Sequence, residues 1–158
     1  MPNWCKGVLK VRGTKDNILN FLQNGLQAVD ICGDAAGKHT VEVDEYDEIT
    51  IDNVEGCLWV KNTRRNFIED ICDDLYLSQY SSDTFVCAIE GFKAAWGIDA
   101  EDLAVISKEY GIDFKIYAFE TGMQFNQDIE VIDGEVIKND TIKFDNYEWE
   151  CIDPFIGG

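Results

Sequence analysis

The chain is poor in proline, in histidine and in positive charge, and each shortage excludes something. Pro2 and Pro154 are the only prolines in 158 residues, so no Pro-rich linker divides the chain, and 1–158 reads as a single domain. No run of 18 or more apolar residues occurs, which removes a membrane-spanning helix. One histidine, His39, and no C-x-x-C pair leave no zinc-ligand spacing to assemble. Neither G-x-x-x-x-G-K-[ST] nor a strand-borne G-x-G-x-x-G is present, so nucleotide hydrolysis has no motif to rest on. Lys and Arg number 13 against 31 Asp and Glu, a formal net charge of -18. That balance argues against direct binding to nucleic acid or to an anionic membrane.

What is present suffices for a packed interior: 46% hydrophobic residues, with 4 Trp, 9 Phe and 6 Tyr. The opening Met1-Pro2-Asn3-Trp4-Cys5 has no basic or apolar leader, so the expected compartment is the cytoplasm, where thiols stay reduced. Of the six cysteines, Cys5, Cys72, Cys87 and Cys151 fall on apolar phases and read as small hydrophobes; Cys32 and Cys57 complete the set. The Asn139-Asp140-Thr141 triplet is a chance glycosylation match in that compartment.

Periodicity gives the elements. Val8, Leu9 and Val11 form a first strand closed by Gly13, and Thr14 caps a helix carrying Ile18, Leu19, Leu22 and Leu26, with Gly25 near its end. Residues 27–40 read as a connection. Alternation over 41–51 predicts a hairpin, Cys57–Val60 another strand, and Phe67, Ile68, Ile71, Cys72 and Leu75 one face of a helix. Phe85, Cys87, Ile89 and Phe92 mark a central strand within 84–96. Asp99 then caps a helix with Leu103, Ile106 and Tyr110 that Gly111 ends. From Phe114 to Cys151 the alternation is nearly continuous, with Asp133-Gly134 as a two-residue hairpin turn, which predicts a β-meander. Its apolar phase holds Ile116, Ala118, Ile129, Val131, Ile142, Phe144, Tyr147, Trp149 and Cys151; the opposite phase holds Asp128, Glu130, Glu148 and Glu150. One greasy and one acidic face are expected. The class is α+β.

Two stretches carry a resemblance. Met1-Pro2-Asn3-Trp4-Cys5 with Val8-x-Leu-x-Val11-x-Gly13 resembles the opening of the YubB-type domains borne by plasmids and phages. Phe92–Trp96, the Leu103–Tyr110 helix and the Glu120-x-Gly122-x-x-Phe125 turn resemble the same family's aromatic strand, second helix and strand end. Gly7, Gly97-Ile98 and the whole of 41–80 depart from it. The resemblance implies a ferredoxin-like split β-α-β sheet with two packed helices on one side. The core then covers about residues 1–122, with 41–80 as an inserted hairpin and helix and 123–158 as the meander extension. It implies a mobile-element setting and no catalytic residues, because the family has no established activity.

Chemistry by motif is sparse. His39 stands beside Lys38 in a polar connection, with no nucleophile elbow, and reads as an exposed loop histidine. Pro2, freed by loss of Met1, offers an amine base near neutrality, and an amino-terminal proline enzyme or small-molecule binder is the alternative function. The acids of 41–55, Glu42, Asp44, Glu45, Asp47, Glu48, Asp52 and Glu55, lack the EF-hand pattern, and no metal or other cofactor is expected. Same-face residues on a strand lie about 6.7 Å apart and strands about 4.8 Å apart, a lattice comparable with a phosphate array. Repulsion between two such charges is about 0.6 kcal/mol in water, which becomes a real cost when summed. Residues 41–60 hold seven acids and no base, and 120–158 ten acids and two bases, whereas 1–40 holds five bases and three acids. The expectation is therefore an acidic interaction protein without enzymatic activity. Its partner is a host protein with a basic nucleic-acid-binding groove, met by Glu42, Asp44, Glu45, Asp47, Glu48, Asp128, Glu130, Glu148 and Glu150. A solvated acidic domain is the remaining alternative.

Overall fold

The computed structural model describes residues 2–30, 32–52, 54, 56–69, 71 and 75–152. The chain runs β1 (Trp4–Gly13), α1 (Lys15–Asn20, prolonged by a π-helical turn over Phe21–Gly25), β2 (Leu26–Val29), β3 (Thr40–Val43), β4 (Glu48–Asp52) and β5 (Cys57–Val60). It continues through β6 (Asn66–Ile68), β7 (Leu75–Tyr76), β8 (Ser78–Gln79), β9 (Phe85–Ala95), α2 (Ala100–Tyr110), β10 (Asp113–Glu120), β11 (Phe125–Ile132), β12 (Glu135–Lys143) and α3 (Tyr147–Glu150). The fold is mixed α+β, and its pairing is antiparallel throughout the described ladders.

The main sheet has the order β12-β11-β10-β1-β9-β6-β5-β2, with β8 sharing an edge of β9; β3-β4-β7 forms a second, smaller sheet. β1 lies between β9 and β10, pairing Leu9 with Ile89 on one side and Ile116 on the other. The unit β9-α2-β10 is thus a split β-α-β around β1. The longer unit β1-α1-β2 is spread wider, since β9, β6 and β5 all stand between its two strands.

Local chemistry explains the boundaries. Thr14 Oγ1 accepts from Asn17 N at 3.2 Å and starts α1; Asp99 accepts from Glu101 N at 3.0 Å and starts α2, which Gly111 ends at φ 64. Asp133 and Gly134, at φ 52 and 75, make the primed turn that matches strand twist. In β9, the four residues from Ile89 to Phe92 oppose the three from Gly7 to Leu9, a bulge at Gly91 with φ 73. A Cβ there would meet Glu69 O at 1.8 Å, so the bulge glycine is what lets β6 close against β9.

Both helices cover one face. Leu9, Val11, Cys87, Ile89, Phe114, Ile116, Ala118, Ile129 and Val131 bury against Ile18, Phe21, Leu22, Leu103 and Ile106. Phe21 meets Phe114 and Tyr110 edge-on, at 5.5 and 5.7 Å between ring centres. Val8 and Phe85 are half-buried, Val8 because it belongs to the opposite face.

Four expectations are corrected. The helix over 67–75 is absent from its described part: Asn66–Ile68 and Leu75–Tyr76 are strands, and Ile68 is paired to both Leu58 and Phe92. The apolar 3.6-residue spacing was matched by two short strands separated by a connection; Asp70, Cys72, Asp73 and Asp74 lie outside the described residues. Leu26 begins β2 instead of ending α1, because Gly25 breaks the helix. Tyr147–Glu150 is a helical turn, capped where Asn146 Oδ1 accepts from Trp149 N, so the meander stops at Lys143 and Trp149 is 88% exposed. His39 is buried, its Nε2 2.7 Å from Leu22 O, because the connection folds back over the π-helical turn.

Candidate functional site

Strand alternation sorts the charges. On the face of the main sheet away from the helices, β1 presents Lys6, Val8, Lys10 and Arg12, and β10 presents Asp113, Lys115, Tyr117 and Phe119. Register then aligns Lys10, Lys115, Glu130 and Lys138 in one row across four strands. Glu130 pairs with Lys115 at 3.5 Å, Asp128 forms an ion pair with Lys138, and Arg12 bridges Asp113 at 2.7 Å. The hydrogen bond to Asp128 raises the Lys138 pKa. The expected acidic face is therefore corrected to one of interleaved sign: the acids of β11 meet lysines that arrive from β10 and β12.

Glu148 and Glu150 leave that face as well, being exposed on α3. Glu150 Oε2 accepts from Asp145 N at 3.0 Å, which ties it to its own turn. Tyr147, Asn126 and Cys151 close the sheet end beneath α3. Tyr147 donates to Asn126 Oδ1 at 2.5 Å, and burial followed by contact with Cys151 raises its pKa.

The small sheet differs. Val41, Val43, Ile49 and Ile51 turn inward, and Thr40, Glu42, Thr50 and Asp52 turn outward, paired Thr40 to Asp52 and Glu42 to Thr50. Asp44 shapes the tip by accepting from Tyr46 N at 2.8 Å and Glu48 N at 3.0 Å, an Asx turn that ends at Asp47 with φ 63. Asp47 pairs with Lys15 at 2.5 Å. Among the described residues no ion pair engages Glu42, Asp44, Glu45, Glu48 or Asp52. Glu55 lies outside the described residues. The structure thus keeps the hairpin acids together at the Lys15 end of β1, while α3 sits by Gln124 at the other end, where Tyr147 N donates to Gln124 Oε1.

No family model, curated protein or solved structure matches the chain. The site therefore has to be read from its own residues.

A feature the sequence reading missed is a cluster of cations on indoles. Arg64 and Arg65 lie 5.9 and 5.3 Å from the Trp96 ring centre, and Arg65 and Lys93 lie 6.0 and 4.2 Å from that of Trp4, which meets Phe67 edge-on. Sequence spacing hides it, because Arg64 and Arg65 reach Trp4 and Trp96 only through the pairing of β6 with β9. Trp96, at φ 62, was the available signal only once its backbone was known.

The thiols behave as packing groups. Burial pushes both Cys5 and Cys87 up to about 12, with Glu120 adding to the effect at Cys5. Glu120 is itself buried and accepts from Gly122 N at 2.9 Å and Met123 N at 2.5 Å, which makes it the cap of the β10–β11 turn. Pro2 is half-buried. Among the described residues no His, Cys, Asp or Glu grouping has metal-site geometry, and no helix is long and apolar enough to cross a membrane.

Proposed function

We propose that the chain is an acidic interaction protein of the phage or plasmid type, which inhibits a host protein in the cytoplasm by occupying its basic nucleic-acid-binding groove. The contact surface is the β3–β4 hairpin, with Glu42, Glu45, Glu48 and Asp52 as its charges and Asp44 and Asp47 holding its tip. One observation carries this reading: the two acidic regions differ in neutralisation. On the open face of the main sheet Asp113, Asp128 and Glu130 are ion-paired to Arg12, Lys138 and Lys115, whereas among the described residues no ion pair engages the outward hairpin acids Glu42, Glu45, Glu48 and Asp52. Such a distribution gives a directional field, which steers association with a positive groove. Asp128 and Glu130, which ion-pair within the sheet, drop out of the contact set.

The fold reading that accompanies it is a ferredoxin-like sheet widened by β5 and β6 and extended by β11 and β12. The β9-α2-β10 unit around β1 supports this, and it agrees with the YubB-type resemblance of β1 and of residues 92–125.

Competition tests the function. The protein is titrated into complexes of duplex DNA with a panel of bacterial nucleic-acid-handling proteins, at several salt concentrations. Displacement that weakens with salt, and that falls at least tenfold in a Glu42→Lys, Glu48→Lys double variant but not in an Asp128→Lys variant, is the expected result. Equal small effects at every site would make the hairpin a solvated surface.

A further inference from the structure

Asn66 opens β6 and is 4% exposed, and its side-chain Nδ2 is buried without a hydrogen-bond partner. An unmade bond from a buried amide is costly, so such a donor marks either strain or a ligand. Asn66 forms part of the wall of a cleft of about 500 Å³, within the range that holds small molecules. Arg64, Trp96, Asp99 and Asp102 line the same cleft.

The surroundings state what would fit. Trp96 is 49% exposed and held at φ 62 by Asn3 O, which accepts from Trp96 N at 2.8 Å; that is a strained backbone presenting a flat apolar ring. Arg64 and Arg65, both near that ring, are exposed and have no ion pair among the described residues. Asp99 and Asp102 accept from the backbone N–H groups of Glu101 and Arg64, and each carboxylate has acceptor capacity beyond that one bond. An aromatic platform, one orphaned donor, acceptor carboxylates and the guanidinium of Arg64, with Arg65 beside the Trp96 ring but outside the cleft wall, match the parts of a nucleotide. Its base would stack on Trp96 and give an acceptor to Asn66 and an exocyclic amine to an aspartate, and its phosphate would lie at Arg64.

We propose that this cleft binds a nucleoside phosphate, free or as the end of a single strand. The site is separate from the hairpin, so either reading can fail without the other.

The test follows the Asn66 side-chain amide and the Trp96 indole by NMR while AMP, GMP, CMP, UMP or a short single-stranded oligonucleotide is added. The expected result is joint movement of both signals with at least one base, saturating near or below 1 mM, a range that corresponds to about 4 kcal/mol. Asn66→Asp and Arg64→Ala should each weaken binding about tenfold, the loss of one hydrogen bond to a ligand being of that order; Lys10→Ala and Trp149→Ala should leave it unchanged. Arg64 is exposed, so its variant keeps the test valid if Asn66→Asp fails to fold. Saturation by mononucleotides assigns a free ligand, and saturation by the oligonucleotide alone assigns a strand end. No movement with any of these, the same movement with inorganic phosphate alone, or undiminished binding in Arg64→Ala would overturn the proposal.

Discussion

The hairpin β3–β4 and the strand pair β11–β12 carry the same sequence signal, acids at alternate positions, and end in opposite electrostatic states. Asp128 and Glu130 lie in the middle of a wide sheet, where the neighbouring strands bring Lys138 and Lys115 into the same rows. Glu42 and Asp52 lie in a three-stranded sheet whose outward positions meet threonines, and β7 supplies no base. Acidic alternation along one strand therefore says little about surface potential until the cross-strand partners are known.

Packing separates the two regions as well. The main sheet buries side chains from β1, β9, β10 and β11 under two helices, whereas the small sheet contributes Ile49 and Leu75 fully and Val41, Val43 and Ile51 in part. The strongest way to break the comparison is Gly91→Ala, which puts a Cβ into Glu69 O at a positive φ; a loss of roughly 3 kcal/mol or more is expected from urea unfolding, with β6 detached from β9. Ile49→Ala should cost about 2–4 kcal/mol, with amide exchange accelerated in 40–52 more than in β1.

Alkali probes the large core through its thiols. Cys5 and Cys87 have pKa values raised from 9.0 to about 12, so the folded state favours the neutral thiols. Their contribution is complete below pH 9 and is lost as pH rises towards 12, so the melting temperature should decline over that window and Cys5→Ala, Cys87→Ala should flatten the decline. At pH 8, iodoacetamide should label exposed Cys32 first and leave Cys5 and Cys87 unlabelled until unfolding. The smallest effects are electrostatic. Lys138→Glu should lower the melting temperature slightly because it leaves Asp128 unpaired, and Glu42→Lys should leave it unchanged or raise it slightly.

Much of the main sheet was legible in the sequence because its signals are local: Thr14, Asp99, Gly111 and Asp133-Gly134 each set one boundary through their own backbone chemistry. Asn66–Ile68 was misread because its fate is decided at a distance, by Gly91 opening β9 to β6, and Leu75–Tyr76 because it pairs with β4. Tyr147–Cys151 was misread because an Asn146 cap outweighs four residues of alternation. The hairpin acids were legible as a group, but the neutralisation of Asp128 and Glu130 depended on register. Nothing in the sequence pointed to Asn66, whose meaning lies in the bond it does not make.

The central place of β1 also dictates when the protein can form during synthesis. Trp4–Gly13 is translated well before its two neighbours, Phe85–Ala95 and Asp113–Glu120. At about 5–20 residues per second, the first strand waits on the order of ten seconds with both edges unpaired. Until residue 120 has left the ribosome, Leu9 and Val11 have no β10 to rest on, and a chain cut short before that point presents an apolar strand with an open ladder. Lys6, Lys10 and Arg12 alternate with those apolar residues, so the waiting strand carries charges that oppose its pairing with another copy of itself.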